Sequence, residues 1–163
     1  MIDDASFLFF VDRALDGMVG IVTDLGDDLA NRTPDIPGAN SPYVLLTHCL
    51  GVMDYWAGAL VAGRDVPRDR NAEFVAAGPV APLVARAQAA KQQLRQDLAT
   101  ADPQGSLLGQ PPASYQGPDI VLTQAGALQH VYEELAQHLG QMEVIRDAIE
   151  HEAGTSTLPA EGG

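Results

Sequence analysis

Ser41-Pro42-Tyr43-Val44-Leu45-Leu46-Thr47-His48-Cys49-Leu50-Gly51-Val52-Met53-Asp54-Tyr55-Trp56 opens with a helix start and carries a histidine into an apolar stripe. Ser41 offers a capping oxygen, and Pro42 fits the first helical position, where a missing N–H has no partner to lose. Leu45, His48, Val52, Tyr55 and Ala59 then recur at threes and fours, so the segment reads as a helix to about Ala62 with His48 facing a core. A helix with one apolar stripe must bury it against other elements.

Those elements are helices on both sides. From Ser6 to about Ala30, Phe7, Phe10, Val11, Ala14, Leu15, Met18, Ile21, Val22 and Leu25 keep helical spacing, with Asp3, Asp4 and Ser6 supplying capping oxygens. Asn31 to Asn40, with Pro34, Pro37 and Gly38, reads as a loop. Gly63 to Pro82 is a long charged connection with a short helical turn around Asn71 to Ala76, and long connections are often functional. Leu83 to about Ala99 is a third helix, with Lys91 and Arg95 on its polar face. Asp102 to Asp119, rich in Pro and Gly, reads as an extended crossover. Thr123 to about Ile149 is the longest helical pattern, with Leu128, Val131, Leu135, His138, Met142, Ile145 and Ile149 along one stripe. No segment alternates as a strand would. The expected fold is therefore an all-α four-helix bundle over residues 1–153, followed by a disordered tail over 154–163. The two long connections imply that at least one neighbouring pair is not a simple hairpin.

At 163 residues the chain has the size of one domain, so two catalytic domains will not fit. Nine Lys and Arg against 22 Asp and Glu give a net charge of −13, a field that repels nucleic acid and anionic membranes. No stretch approaches 18 uninterrupted apolar residues, so no membrane span is expected. A single cysteine, Cys49, and the lack of a signal-like start point to a cytoplasmic protein.

The chemistry lies in polar residues on the apolar stripes. His138 sits between Leu135 and Met142, with Glu134 one turn before it and Gln141 three residues after. Buried ionisable groups need a partner or a metal. One account pairs Glu134 with a histidine and leaves the other to a backbone carbonyl. The other account is a metal: Glu134 and His138, ~6 Å apart along the axis, converge on one ion, and His48 arrives from a facing helix. Two His and one carboxylate form a zinc-type site that leaves a coordination position open. His130 with Glu134 is a competing pair, whereas His130 and His138 lie ~12 Å apart and cannot share an ion directly. His151 is expected near the last carbonyls of its helix and Cys49 as a small buried hydrophobe. Trp56 reads as core, and Tyr55 as core or as pocket lining along the His48 face. No zincin, P-loop, Cys-x-x-Cys or nucleophile-elbow pattern is present, nor the paired Glu-x-x-His of di-iron bundles.

The stretch from Ser41 to Trp56, together with Glu133-Glu134-Leu135-Ala136-Gln137-His138-Leu139-Gly140-Gln141, resembles the two metal-bearing helices of the DinB-like superfamily. More narrowly, it is similar to the actinobacterial branch that includes mycothiol-dependent maleylpyruvate isomerase. The resemblance spans roughly Phe7 to Glu150. It implies an up-down-down-up bundle with a divalent ion, zinc or nickel, on His48, Glu134 and His138, and mycothiol as a thiol cofactor. It also implies a transferase or isomerase acting on a small electrophile, the metal activating the thiol sulfur. Tyr55, Arg64, Arg68, Arg70, His130 and Gln141 are then the residues that would meet thiol or substrate. The arginines have a second reading, as ion-pair partners of Asp65, Asp69 and Glu73. Two alternatives stay open: a non-catalytic metal-binding or stress-response protein of the same superfamily, and a metal-free bundle whose polar residues pair. The apolar sides of the bundle leave room for a homodimer.

Overall fold

Helix α1 (Asp4–Ala30) starts where Asp3 Oδ1 accepts the Ser6 N–H at 2.9 Å. Its stripe from Val11 to Leu25 is buried. Contrary to an unbroken helix, Gly26 stands at φ +67, a left-handed conformation that favours glycine, and kinks the last turn. Beyond the kink, Asp27 Oδ1 accepts the Val80 N–H at 2.8 Å and Asn31 Oδ1 accepts the Gly78 N–H at 3.0 Å. This help comes from across the chain because helix α4 (Val80–Ala99) has Pro79 at its N-cap, and proline has no capping side chain.

Helix α2 (Pro42–Val52) is capped by Ser41 as its sequence demands. It does not run on as α-helix to Ala62. Met53–Ala59 is π-helical, with the Leu60 N–H donating to Tyr55 O and the Ala62 N–H to Ala57 O. A four-residue helix α3 (Arg70–Glu73), capped by Asp69, lies in the following connection. Helix α5 (Gln124–Ser156) is the longest; it runs past the helix end expected near Ile149 and takes in residues 154–156, which were expected in a disordered tail. The structure, a computed structural model, describes residues 3–115 and 120–156; the end of the expected crossover and the tail expected beyond 156 lie outside them. Among the described residues there is no strand, only an isolated bridge between Ser106 and Thr123 and a 3-10 turn at Ala113–Tyr115.

Cross-helix contacts fix the directions. Along α1 and α5, Phe10 meets Tyr132, and past the end of α1 the Asp35 N–H donates to Glu152, so the two helices are parallel. Asp12 with Arg95, Asp16 with Lys91 and Asp27 with Val80 make α1 and α4 antiparallel. His48 with Glu134 and Trp56 with His130 make α2 antiparallel to α5. Asp54 with Arg86 and Arg64 with Asp97 make α2 parallel to α4. The result is an all-α, up-down-down-up bundle, the arrangement that the sequence resemblance implied, around Leu15, Met18, Leu45, Leu50, Leu135 and Met142. None of its described helices is long and apolar enough to cross a membrane.

Candidate metal centre

The antiparallel packing of α2 on α5 brings the middle of one against the middle of the other, where His48, Glu134 and His138 meet. Glu134 Oε2 lies 3.4 Å from His48 Nε2 and 3.7 Å from His138 Nε2. One donor atom from each of the three falls within 4.8 Å of the others. For a tetrahedral ion with bonds of 2.0–2.1 Å the edges between ligand atoms are about 3.3 Å, so a small contraction suffices. Among the described residues this is the one group of three that could hold a metal.

The outward nitrogens of both rings are already engaged. His48 Nδ1–H donates to Glu73 Oε2 at 2.8 Å and His138 Nδ1–H to Gln141 Oε1 at 2.9 Å. With Nδ1–H so held, a neutral ring keeps its Nε2 on the Glu134 side free of a proton, the tautomer that a metal ligand needs, while without an ion a proton on Nε2 can bond to Glu134 instead. This donor set of two imidazole nitrogens and one carboxylate oxygen fits a divalent ion of the zinc or nickel type. Without an ion, the same convergence shifts the acids and bases. His138, then His48, hold the Glu134 carboxyl well below the usual carboxylate range, against the opposing effect of burial. Burial pulls the His48 pKa down, but hydrogen bonds to Glu134 and Glu73 prevail and raise it.

A cavity of about 240 Å³ opens beside the triad, lined among others by Trp56, Arg68, Arg70, Phe74, Tyr115 and His130. His130 is buried, stacks edge-on against Trp56 at 4.6 Å and donates from Nδ1–H to Glu133 at 3.1 Å. Its Nε2 is 4.0 Å from Glu134 Oε1, so Glu134 turns one oxygen to His130 and the other to the His48–His138 pair. Trp56, expected as core, is both core and cavity wall.

The remaining expected residues divide. Arg68 and Arg70 reach the cavity, the Arg70 guanidinium lying 5.0 Å over the Phe74 ring. Arg64 does not. Its guanidinium donates to Asp97 at 3.0 Å and to Asp54 at 3.2 Å, on the α4 side of α2. Of the carboxylates expected to pair with the arginines, Glu73 does so, with Arg68 at 2.7 Å. Tyr55 lies behind the cavity, 4.8 Å from Tyr115 and 5.8 Å under Arg68. Gln141 touches His138 rather than the cavity. His151 is exposed. Cys49 is fully buried, and burial, with Glu134 and Glu73 nearby, pushes its thiol pKa well up, so it is no rival nucleophile.

Glu73 is the residue that sequence reasoning placed only as an arginine partner. It lies 25 positions from His48, in a connection without periodicity. A signal existed in Gly51, one turn below His48: a methyl there would collide with the Glu73 carboxylate.

Comparison with known proteins bears on this arrangement. A family model described as mycothiol-S-transferase matches residues 6–151. Among solved structures, the crystal structure of a conserved protein from Enterococcus faecalis is similar in fold, with a TM-score of 0.71 at 15% identity, over 93% of this chain and 99% of that one. No curated protein matches.

Proposed function

Because the chain belongs to the mycothiol-S-transferase family, a DinB-like family, we propose that it joins the sulfur of mycothiol to a small electrophile, with a divalent ion on His48, Glu134 and His138. Transfer is preferred here to the isomerisation that the sequence resemblance held open, since transfer is the activity the family's description carries. The observation that supports the metal reading most is the convergence of the three donor atoms within 4.8 Å, with both Nδ1 positions already occupied.

When bound, the ion supplies the charge that favours the thiolate over the thiol, and the thiolate is the nucleophile. His130 is the cavity's base. With Nδ1–H held by Glu133, its Nε2 faces inward and takes the proton that the thiol gives up. The sulfur then bonds to the electrophilic carbon, whose leaving group departs with its electron pair. Trp56 and Phe74 form the apolar walls of the cavity and limit water at the reacting atoms. Arg70 at the cavity wall offers a cation to an anionic group on either partner, in a chain whose overall charge is −13.

The test is elemental analysis of untagged protein followed by a conjugation assay with mycothiol and a panel of small electrophiles. About one zinc or nickel per chain and metal-dependent thiol consumption are expected. Metal-loaded protein that consumes no thiol with any electrophile would leave the centre as a binding site without turnover.

A further inference from the structure

The geometry points to Glu73 as a positioning residue: through its hydrogen bond it sets the tautomer and orientation of His48, and thereby the affinity of the centre. The inference rests on the metal reading above and adds a group that is not itself a ligand.

Glu73 is 7% exposed, and burying a carboxylate is costly unless it is fully used. It is. Arg68 Nε donates to Oε1 at 2.7 Å and Arg68 Nη2 to Oε2 at 2.9 Å, a bidentate pair, while His48 Nδ1–H donates to Oε2 at 2.8 Å. The Arg68 side chain is only 3% exposed, with its guanidinium 4.8 Å from the Tyr115 ring. Tyr115 O–H in turn donates to Arg68 O at 3.1 Å. The carboxylate is thus fixed from behind, and space for it is cleared by the missing side chain of Gly51. A surface Arg–Glu pair needs none of this construction.

The arrangement constrains protons. Both Glu73 oxygens accept from Arg68, so neither can become a donor without opposing an arginine N–H. His48 must then place its proton on Nδ1 and leave Nε2 free for a metal. A glutamine at position 73 keeps the shape and breaks this logic. Its amide N–H₂ either faces Arg68, or faces both Arg68 and His48 and favours the tautomer with the proton on Nε2, where the ion should bind. Carboxylates that orient metal-bound histidines are worth about 10–100-fold in metal affinity when removed.

The experiment measures zinc affinity by competition with a chromogenic chelator for wild type, Glu73→Gln and, as a control, Glu133→Gln, whose exposed carboxylate holds the non-ligand His130. Glu73→Gln should bind about 10–100-fold more weakly, and Glu133→Gln within threefold of wild type. A second readout needs no variant: in zinc-loaded wild type, proton NMR should show a slowly exchanging, strongly downfield Nδ1–H of His48, and its nitrogen shifts should report metal on Nε2. Equal zinc affinity of Glu73→Gln and wild type, or His48 bound through Nδ1, would overturn the inference and leave the metal centre standing. A wild type that takes up no zinc or nickel would overturn the metal reading itself and the inference with it. Should Glu73→Gln fail to fold, the NMR measurement on wild type decides.

Discussion

Two charged clusters flank α2 and the turns that continue it, on different faces, and they are built oppositely. Toward α4, the Arg64 guanidinium is matched by two carboxylates, Asp97 at 3% exposure and the half-exposed Asp54, with Gln93 donating to Asp97 as well. Toward α5, one carboxylate oxygen of Glu134 faces two imidazole nitrogens whose other nitrogens are already engaged. In the first cluster the Arg64 Nε and Nη2 donors each meet carboxylate oxygens, and positive charge is matched by negative. In the second, lone pairs converge with too few protons between them. The comparison separates structural charge from a site: what matters is whether the polar atoms satisfy one another, not how many gather.

Substitutions test this division. The largest effect is expected for His48→Ala, which should lose stoichiometric zinc in elemental analysis while the circular dichroism stays helical, because the Arg64 cluster is untouched. Retained zinc would mean that the ion, if any, sits elsewhere. Arg64→Met reverses the pattern. It leaves the Asp97 carboxylate buried with little beyond Gln93, and should cost about 3 kcal/mol in denaturant unfolding without changing zinc stoichiometry.

pH sharpens the contrast further, since only the α5 side has shifted imidazole and carboxylate groups together. His48 is raised, so its contribution is full below the ordinary value of 6.5 and is lost as pH rises through the folded value. Glu134 and Glu73 are lowered, so theirs is full above the ordinary 4.5 and is lost as pH falls through their folded values. Metal-free protein should therefore melt highest between these two ordinary values. With zinc, which needs deprotonated ligands, the alkaline side should rise instead. Identical melting profiles with chelator and with zinc would contradict this. The smallest effect is expected at Gln141, whose bond to His138 is exposed and replaceable by water: Gln141→Ala should weaken zinc binding by only about threefold to tenfold.

What could be read from the chain followed its periodicity. His48 and His138 stand on stripes of Leu, Val and Met, and Glu134 is one turn from His138, so spacing offered the three as one group beside a competing His130–Glu134 pair, and the resemblance singled them out. The four long helices were legible for the same reason. The break at Gly26 and the π-helical turn were not, because glycine is tolerated inside helical patterns and a shift in ladder leaves the residue types unchanged. The arginines defeated local reasoning. Arg64 and Arg68 sit four residues apart in one charged connection, yet one faces α4 and the other serves His48 through Glu73. Asp97, three residues after Leu94 on the buried face of α4, drew no reading from the sequence, and its partner Arg64 lies 33 residues away.

The π-helical turn from Met53 to Ala59 works as a phase shifter. Each i→i+5 turn holds one residue more than an α-helical turn, and a single residue is worth about 100° of rotation. Upstream of it His48 is aimed at α5; within it Gly58 clears the room in which Arg64, from further downstream, reaches α4. The length of α2 is therefore not neutral ground: deleting one residue between positions 53 and 59 would restore an ordinary α-helix and turn the two halves relative to one another. When related chains are aligned, a gap in this segment should be read as a change in which side of the helix faces which partner, even where every charged residue is retained.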